Sequence, residues 1–262
     1  MAKPQGRCVF CDGTGLTKQH IWPKWLKKIN QPQVAAHEQV SISASYLAPD
    51  QVTYTRKRRQ GHSGTRTARK VCKKCNNGWI ERLEERIRDV VTRALCGTLE
   101  TLTTQTQRDL TAWATLVTMM AEFTHEPTLA TPKDAYPALR LNQEPPAGWG
   151  VWVVRYNGTK RGSQVLRHYG VQLSPLPDVR VEAHKCDTQS TTFVIGELCL
   201  HTFCSTVFSG AEGDRYELVD IPQIWPPAGE TIDWTTVRCL GDAGTVSLST
   251  ALLRLIPPAP LS

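Results

Sequence analysis

No run of about 18 apolar residues occurs along the chain, so it offers no candidate for a membrane-crossing helix. The first ten residues, Met1 to Phe10, lack the apolar stretch of a secretory leader, and the expectation is a cytoplasmic protein with no membrane partner. An even cysteine set is missing too: nine cysteines in that setting argue against a disulfide framework. The patterns G-x-x-x-x-G-K-[ST], G-x-G-x-x-G, H-E-x-x-H and G-x-S-x-G are absent, which leaves nucleotide hydrolysis, dinucleotide chemistry, zinc proteolysis and α/β-hydrolase chemistry without support. What is present is ordinary for a folded protein, with 40% hydrophobic and 21% charged residues over 262 positions, enough for one or two domains.

Acidic residues are scarce at one end. Residues 1–85 carry sixteen Lys and Arg against six Asp and Glu, a net of +10, whereas the remainder carries fifteen against eighteen, a net of −3. The densest stretch runs from Arg56, Lys57, Arg58 and Arg59 through Arg66, Arg69, Lys70, Lys73 and Lys74. Such a field favours a polyanion, DNA or RNA, through phosphate contact and counterion release. A solvated, solubilising face is the plainer alternative.

The patterning divides the chain into three expected parts: an N-terminal domain over 1–98, a helix and proline-rich connection over 99–146, and a β-rich domain over 147–262. Strands are expected at Val34–Val40 and Gln51–Arg56. Ile80, Leu83, Ile87, Val90, Val91, Ala94 and Leu95 recur at helical steps, with Gly97 as a stop. Leu110, Trp113, Leu116, Val117, Met120 and Phe123 form a second helical stripe. Five prolines between 127 and 148 suggest a connection without regular structure. Beyond it, Val151–Tyr156, Asn157-Gly158 and Val165–Leu173 predict a hairpin. Thr191–Ser205 predicts another strand pair, and Tyr216–Val219 and Thr245–Leu248 further strands.

Cys8-Val-Phe-Cys11 and Cys72-Lys-Lys-Cys75 are two C-x-x-C pairs. Each spacing lets two thiolates bind one ion from a tight knuckle, and two knuckles close a tetrahedral structural zinc site. A redox C-x-x-C would need a preceding βα pattern, which neither pair has. Cys96, Cys186, Cys199, Cys204 and Cys239 are expected to be small core residues. Beside the first pair lies Leu16-Thr-Lys-Gln-His-Ile-Trp-Pro23, and after the second lies Asn76-Asn-Gly-Trp79. The unperturbed imidazole has a pKa near neutrality, which lets a histidine in the position of His20 act as a general base on water. An amide oxygen such as that of Asn76 can hold a hard divalent ion that also binds a phosphate.

Together, Cys8-x-x-Cys11, Thr17-Lys-Gln-His-Ile-Trp-Pro23 and Val71-Cys72-Lys-Lys-Cys75-Asn76-Asn-Gly-Trp79 resemble the HNH endonuclease family, in particular small phage and bacterial HNH-like proteins, over about residues 8–85. The resemblance implies a zinc-stabilised ββα-metal nuclease domain over 1–98, which the patterning completes to an α+β protein with two connecting helices and a C-terminal antiparallel β-rich domain. It implies a structural zinc on the four cysteines, a catalytic Mg²⁺ or Mn²⁺, and cleavage of DNA. It places His20 as the general base, Asn76 as a ligand of the catalytic ion and the basic residues of 56–74 on the phosphate backbone. The chain departs from the pattern at three positions: Gln19 replaces the usual acidic ligand, Thr67 a usual Asn, and Trp79 a usual Lys. His62 is a candidate for the missing ligand, or a plain loop histidine. A catalytically degenerate scaffold that binds nucleic acid without cutting it is the alternative, and a protein-binding module a third.

Overall fold

The computed structural model describes residues 6–29, 36–45, 48–60, 66–124, 129–159, 165–174, 186–207, 218 and 220–256. It is a mixed α+β fold. A small sheet pairs β1 (Leu16–His20) antiparallel with β4 (Thr67–Cys72), and the chain turns directly from β4 into helical structure. That structure comprises α2 (Lys73–Cys75), a wide turn over Asn76–Ile80, α3 (Glu81–Arg86) and α4 (Arg88–Cys96); a short α1 (Leu26–Ile29) follows β1. Gly78 leaves helical geometry (φ −113°, ψ −107°) and so separates the cysteine-bearing turn from α3. Gly97 closes α4 in the left-handed region at φ 70°, as its placement after the last apolar position predicts.

The 46 residues between β1 and β4 carry a hairpin that leaves the small sheet altogether. Its strands, β2 (Ala36–Ser45) and β3 (Ala48–Gln60), run longer than the predicted segments. They extend a second, eight-stranded sheet, because β2 pairs parallel with β7 (Val165–Gln172), from Ser41 opposite His168 to Ser45 opposite Gln172. The remaining strands are β6 (Trp149–Tyr156), β8 (Thr188–Ile195), β9 (Leu198–Ser205), β10 (Gln223–Trp225) and β12 (Cys239–Leu240). The order is β10-β6-β9-β8-β7-β2-β3, with β12 beside β6. A two-residue pair, β5 (Thr101–Leu102) with β11 (Ile232–Asp233), stands apart.

Central strands of this sheet are buried on both faces, which explains why β8 and β9 read as unbroken buried runs. One face, with Val151, Val153, Phe193, Ile195, Leu198 and Leu200, packs on α5 (Thr104–Glu122). The opposite face, with Trp152, Val154, Tyr156, Val194, Cys199 and Phe203, packs under α7 (Asp242–Ser249) and the turn at Ala251–Leu255. The alternation along each strand is the period-two rule at work. Helix α5 begins at Thr103, whose hydroxyl accepts from the Thr106 amide at 3.2 Å, and every residue from Leu110 to Glu122 is buried. A helix buried all round belongs at the centre of a fold, and its core is continuous from Cys8 and Phe10 through Trp113 to Trp234 and Val237. Residues from all three expected parts contribute to this core.

Four expectations are corrected. β6 and β7 do not form a hairpin: β6 pairs with β9, β10 and β12, and β7 with β8 and β2. Asn157-Gly158 instead leads to a contact with Asp242, where a Cβ on Gly158 would come within 2.6 Å of the carboxylate. Thr245–Leu248 is part of α7, not a strand. The proline-rich stretch contains α6 (Ala135–Asn142), which tolerates Pro137 because it sits in the first turn, where the amide needs no partner. The Thr191–Ser205 pair matches β8 and β9, while most of Tyr216–Val219 lies outside the described residues. Cys186, Cys199 and Cys204 are buried as expected, but Cys96 and Cys239 are exposed.

Candidate metal centre

Cys8 and Cys11 lie on a tight loop closed by the Cys8 amide donating to Gly13 O at 2.9 Å and the Asp12 amide donating to Cys8 O at 2.8 Å. The loop is tied to β4 by the Val9 amide, which donates to Lys70 O at 3.1 Å. Cys72 ends β4 and Cys75 follows one turn later, its amide directed at Cys72 Sγ at 3.5 Å. Pairing of β1 with β4 thus brings together two cysteine pairs that are 60 residues apart in sequence.

All four Sγ atoms lie within 4.8 Å of one another, and Cys11 Sγ is 3.5 Å from Cys72 Sγ, with no disulfide. A tetrahedral zinc with Zn–S bonds of about 2.3 Å holds sulfurs roughly 3.8 Å apart, so the cluster has the size of a Cys₄ zinc site. Gly13 fits its place closely: a Cβ there would sit 3.2 Å from Cys11 Sγ. Burial pushes the Cys8 and Cys75 thiols up. At Cys72 burial also opposes the thiolate, yet the Cys75 amide and the neighbouring thiols outweigh it and bring the group down to about 7. An ion of charge +2 supplies what such a buried thiol cluster lacks. Four protein sulfurs would fill a tetrahedral sphere, leaving an ion bound here no open position.

The other predicted residues surround the same strand and helix. Asn76, directly after Cys75, donates from Nδ2 to Thr17 Oγ1 at 2.9 Å, and Thr17 donates to Val71 O at 3.1 Å. Gln19 is 3% exposed; its Nε2 donates to His20 O at 2.9 Å and to Glu84 Oε1 at 3.4 Å. Both neighbours are acceptors, so the amide nitrogen must face them, and Gln19 Oε1 is left buried without a donor among the described residues. His20, half-buried at the end of β1, stands in register opposite Thr67 on β4. Asn76 and Glu84 therefore meet the same strand, one at Thr17 and the other at Gln19.

Glu84 is the residue that the motifs do not reveal. Burial raises its carboxyl to about 7; the Gln19 hydrogen bond opposes this, the Glu81 charge adds to it and the Lys24 charge opposes it. Its position was accessible from the helical pattern, since an acid between Leu83 and Ile87 flanks the buried stripe instead of opposing it.

The basic residues divide between two places. Arg56, Lys57, Arg58 and Arg59 lie on β3, the edge of the large sheet, opposite Val40, Gln39, Glu38 and His37 of β2. Arg66, Arg69 and Lys70 lead into and along β4, and Lys73 and Lys74 occupy α2, next to the cysteines. Arg69, Lys73 and Lys74 are exposed; Arg66 donates to Thr124 Oγ1 at 2.5 Å, and the Lys70 ammonium stands 5.1 Å from the Phe123 ring centroid. His62 lies outside the described residues. Among the described residues no helix is long and apolar enough to cross a membrane. No family model, curated protein or solved structure matches this chain.

Proposed function

We propose that this protein is a metal-dependent HNH endonuclease that hydrolyses phosphodiester bonds in DNA, with Cys8, Cys11, Cys72 and Cys75 holding a structural zinc ion. The observation that carries the reading is one of arrangement. Two antiparallel strands run straight into a helix; the cysteine cluster clasps one end of that unit, and Gln19-His20 ends the first strand against the same helix. In this reading the His20 imidazole takes the proton of the attacking water as its oxygen bonds to phosphorus and the opposite P–O bond breaks. Asn76 and Gln19, through their amide oxygens, would hold a Mg²⁺ or Mn²⁺ ion, which would supply positive charge to the leaving oxygen. In this reading Arg69, Lys73 and Lys74, which are exposed beside the cysteines, contact the phosphate backbone.

The neutral Gln19 favours a second reading, a nucleic-acid-binding protein that no longer cuts. Conversion of supercoiled plasmid by the wild type and by His20→Ala separates the two. The nuclease reading expects His20→Ala to lose cleavage, to keep its zinc and to regain part of its rate with added imidazole. Cleavage by His20→Ala at the wild-type rate would remove His20 from the mechanism.

A further inference from the structure

A cavity beside the cysteines takes no part in the chemistry assigned to His20. It encloses about 540 Å³, within the range of small-ligand pockets, between the Cys8–Cys11 loop, the end of α5 and the first turn of α6. Its wall is apolar: Val9, Phe123, Leu129 and Pro137 are half-buried around it, and the buried Phe10 and Tyr136 complete it. The polar groups of that wall are engaged inward. The Tyr136 hydroxyl and the Thr131 amide and hydroxyl donate to Glu122, and Thr131 Oγ1 also accepts from Gln189 Nε2 at 2.7 Å. The Cys8 and Cys11 sulfurs belong to the metal cluster.

The mouth is charged, and its excess is positive. Arg7, Asp12 and Lys133 are exposed there; Arg7 and Asp12 pair at 3.0 Å, which leaves Lys133 as the uncompensated charge among the described residues. The wall also adjoins the basic strand β4. The Val9 amide bonds to Lys70 O, and the Lys70 ammonium stands 5.1 Å from the Phe123 ring centroid. An apolar hollow with a positive lip on a basic face suits an anion that carries an apolar ring. In a nucleic acid that ring is the base, which can leave its stack with the phosphate still attached.

We infer that this cavity is a nucleotide subsite, with the base in the hollow and its phosphate at Lys133. The inference takes its nucleic acid from the proposed function but uses neither His20 nor a catalytic ion. Lys70 is three residues along β4 from Thr67, the register partner of His20, so about 10 Å of strand separates the two positions. The nucleotide held here is therefore a neighbour of the one at His20. Since the wall's polar groups serve Glu122, the contact is apolar and does not select among bases.

The test is fluorescence anisotropy of a labelled short strand of thymidylates on the zinc-loaded full chain, without added divalent ion. An abasic strand of the same length and charge, thymidine 5′-monophosphate and laurate are the competitors. Wild type is expected to bind the thymidylate strand about tenfold more tightly than the abasic one, the size of one base contact. Leu129→Trp, which fills the hollow, should lose that difference, with zinc content and circular dichroism verifying its fold. Lys133→Glu, an exposed change, should keep the difference and flatten the dependence of affinity on salt. Equal affinity of the wild type for the two strands overturns the inference, whatever the variants do. So does a difference that survives in folded Leu129→Trp, or a hollow that binds laurate but tells no base from its absence. Displacement by thymidine 5′-monophosphate at concentrations like the strand's own names the free nucleotide as the source of the base; weaker displacement names the strand, and either keeps the ring-and-phosphate ligand. Plasmid cleavage on the same proteins separates the two readings. Cleavage without a base contact sinks this inference alone, and a base contact without cleavage sinks the nuclease reading alone.

Discussion

Glu122, near the end of α5, is fully buried and receives four hydrogen bonds. Its Oε1 accepts from the Ala130 amide at 3.3 Å, the Thr131 amide at 3.0 Å and the Thr131 hydroxyl at 2.7 Å; its Oε2 accepts from the Tyr136 hydroxyl at 2.9 Å. Burial nevertheless outweighs these donors and raises the carboxyl to about 7 from a reference of 4.5. A raised acid is favoured in its protonated form, so folding is most favourable with respect to this group below pH 4.5 and loses stability as pH rises towards 7. At about 1.4 kcal/mol per pKa unit, the loss is of order 3 kcal/mol and levels off above the folded-state value. Glu122→Gln keeps the three bonds to Oε1 and lets the Tyr136 oxygen accept where it had donated, so it mimics the protonated acid. Urea unfolding at pH 4.5 and pH 8 should therefore find the two proteins within about 1 kcal/mol at the lower pH. At the higher pH the variant should be the more stable by roughly 3 kcal/mol. Comparing the proteins at each pH cancels the titration of every other group they share. A Gln variant less stable than wild type at pH 8 would refute the reasoning, because it would mean that four donors hold the ionised carboxylate better than burial opposes it.

Two further outcomes follow from the packing and the charge. Phe193 contacts both Trp22 and Trp113 edge-on, at centroid separations of 5.7 and 5.5 Å, so Phe193→Ala should cost about 3–5 kcal/mol in denaturant unfolding; a cost below 1 kcal/mol would show that this contact between β1's flank, α5 and the sheet is not formed. If the edge strand β3 meets DNA, replacing Arg56, Lys57, Arg58 and Arg59 by Gln should flatten the slope of log affinity against log salt by up to about 3.6; an unchanged slope would assign the strand's charge to guarding a sheet edge.

Much of the metal centre was legible because knuckle spacing is a local property. The two C-x-x-C pairs needed no knowledge of the 60 residues between them, and Gly97 marked the end of its helical segment for an equally local reason. Long-range pairing was not legible. Asn157-Gly158 carries the strongest hairpin signal in the chain, yet the sheet places β9 and β7 on either side of β8 and sends β6 elsewhere, and the glycine serves the close approach of Asp242. Thr245–Leu248 was too short for its period to distinguish helix from strand, and burial of Leu248 against Tyr156 and Val194 decided the matter. The hairpin from 36 to 60 could be foreseen as strands, but its parallel pairing with β7 has no sequence signature. The position of Glu84 beside the buried stripe is legible, but its contact with Gln19, 65 positions away, is not.

The central claim is that one ion holds the fold and a second, exchangeable one supports DNA cleavage. Its most direct test is supercoiled-plasmid cleavage by protein stripped with brief EDTA treatment and then given Mn²⁺ or Mg²⁺, with zinc measured before and after. The account predicts one zinc per chain that survives the treatment, no cleavage in EDTA, and cleavage restored by Mn²⁺ or Mg²⁺ alone. A protein that keeps its zinc and binds DNA but leaves the plasmid intact with either ion would contradict it.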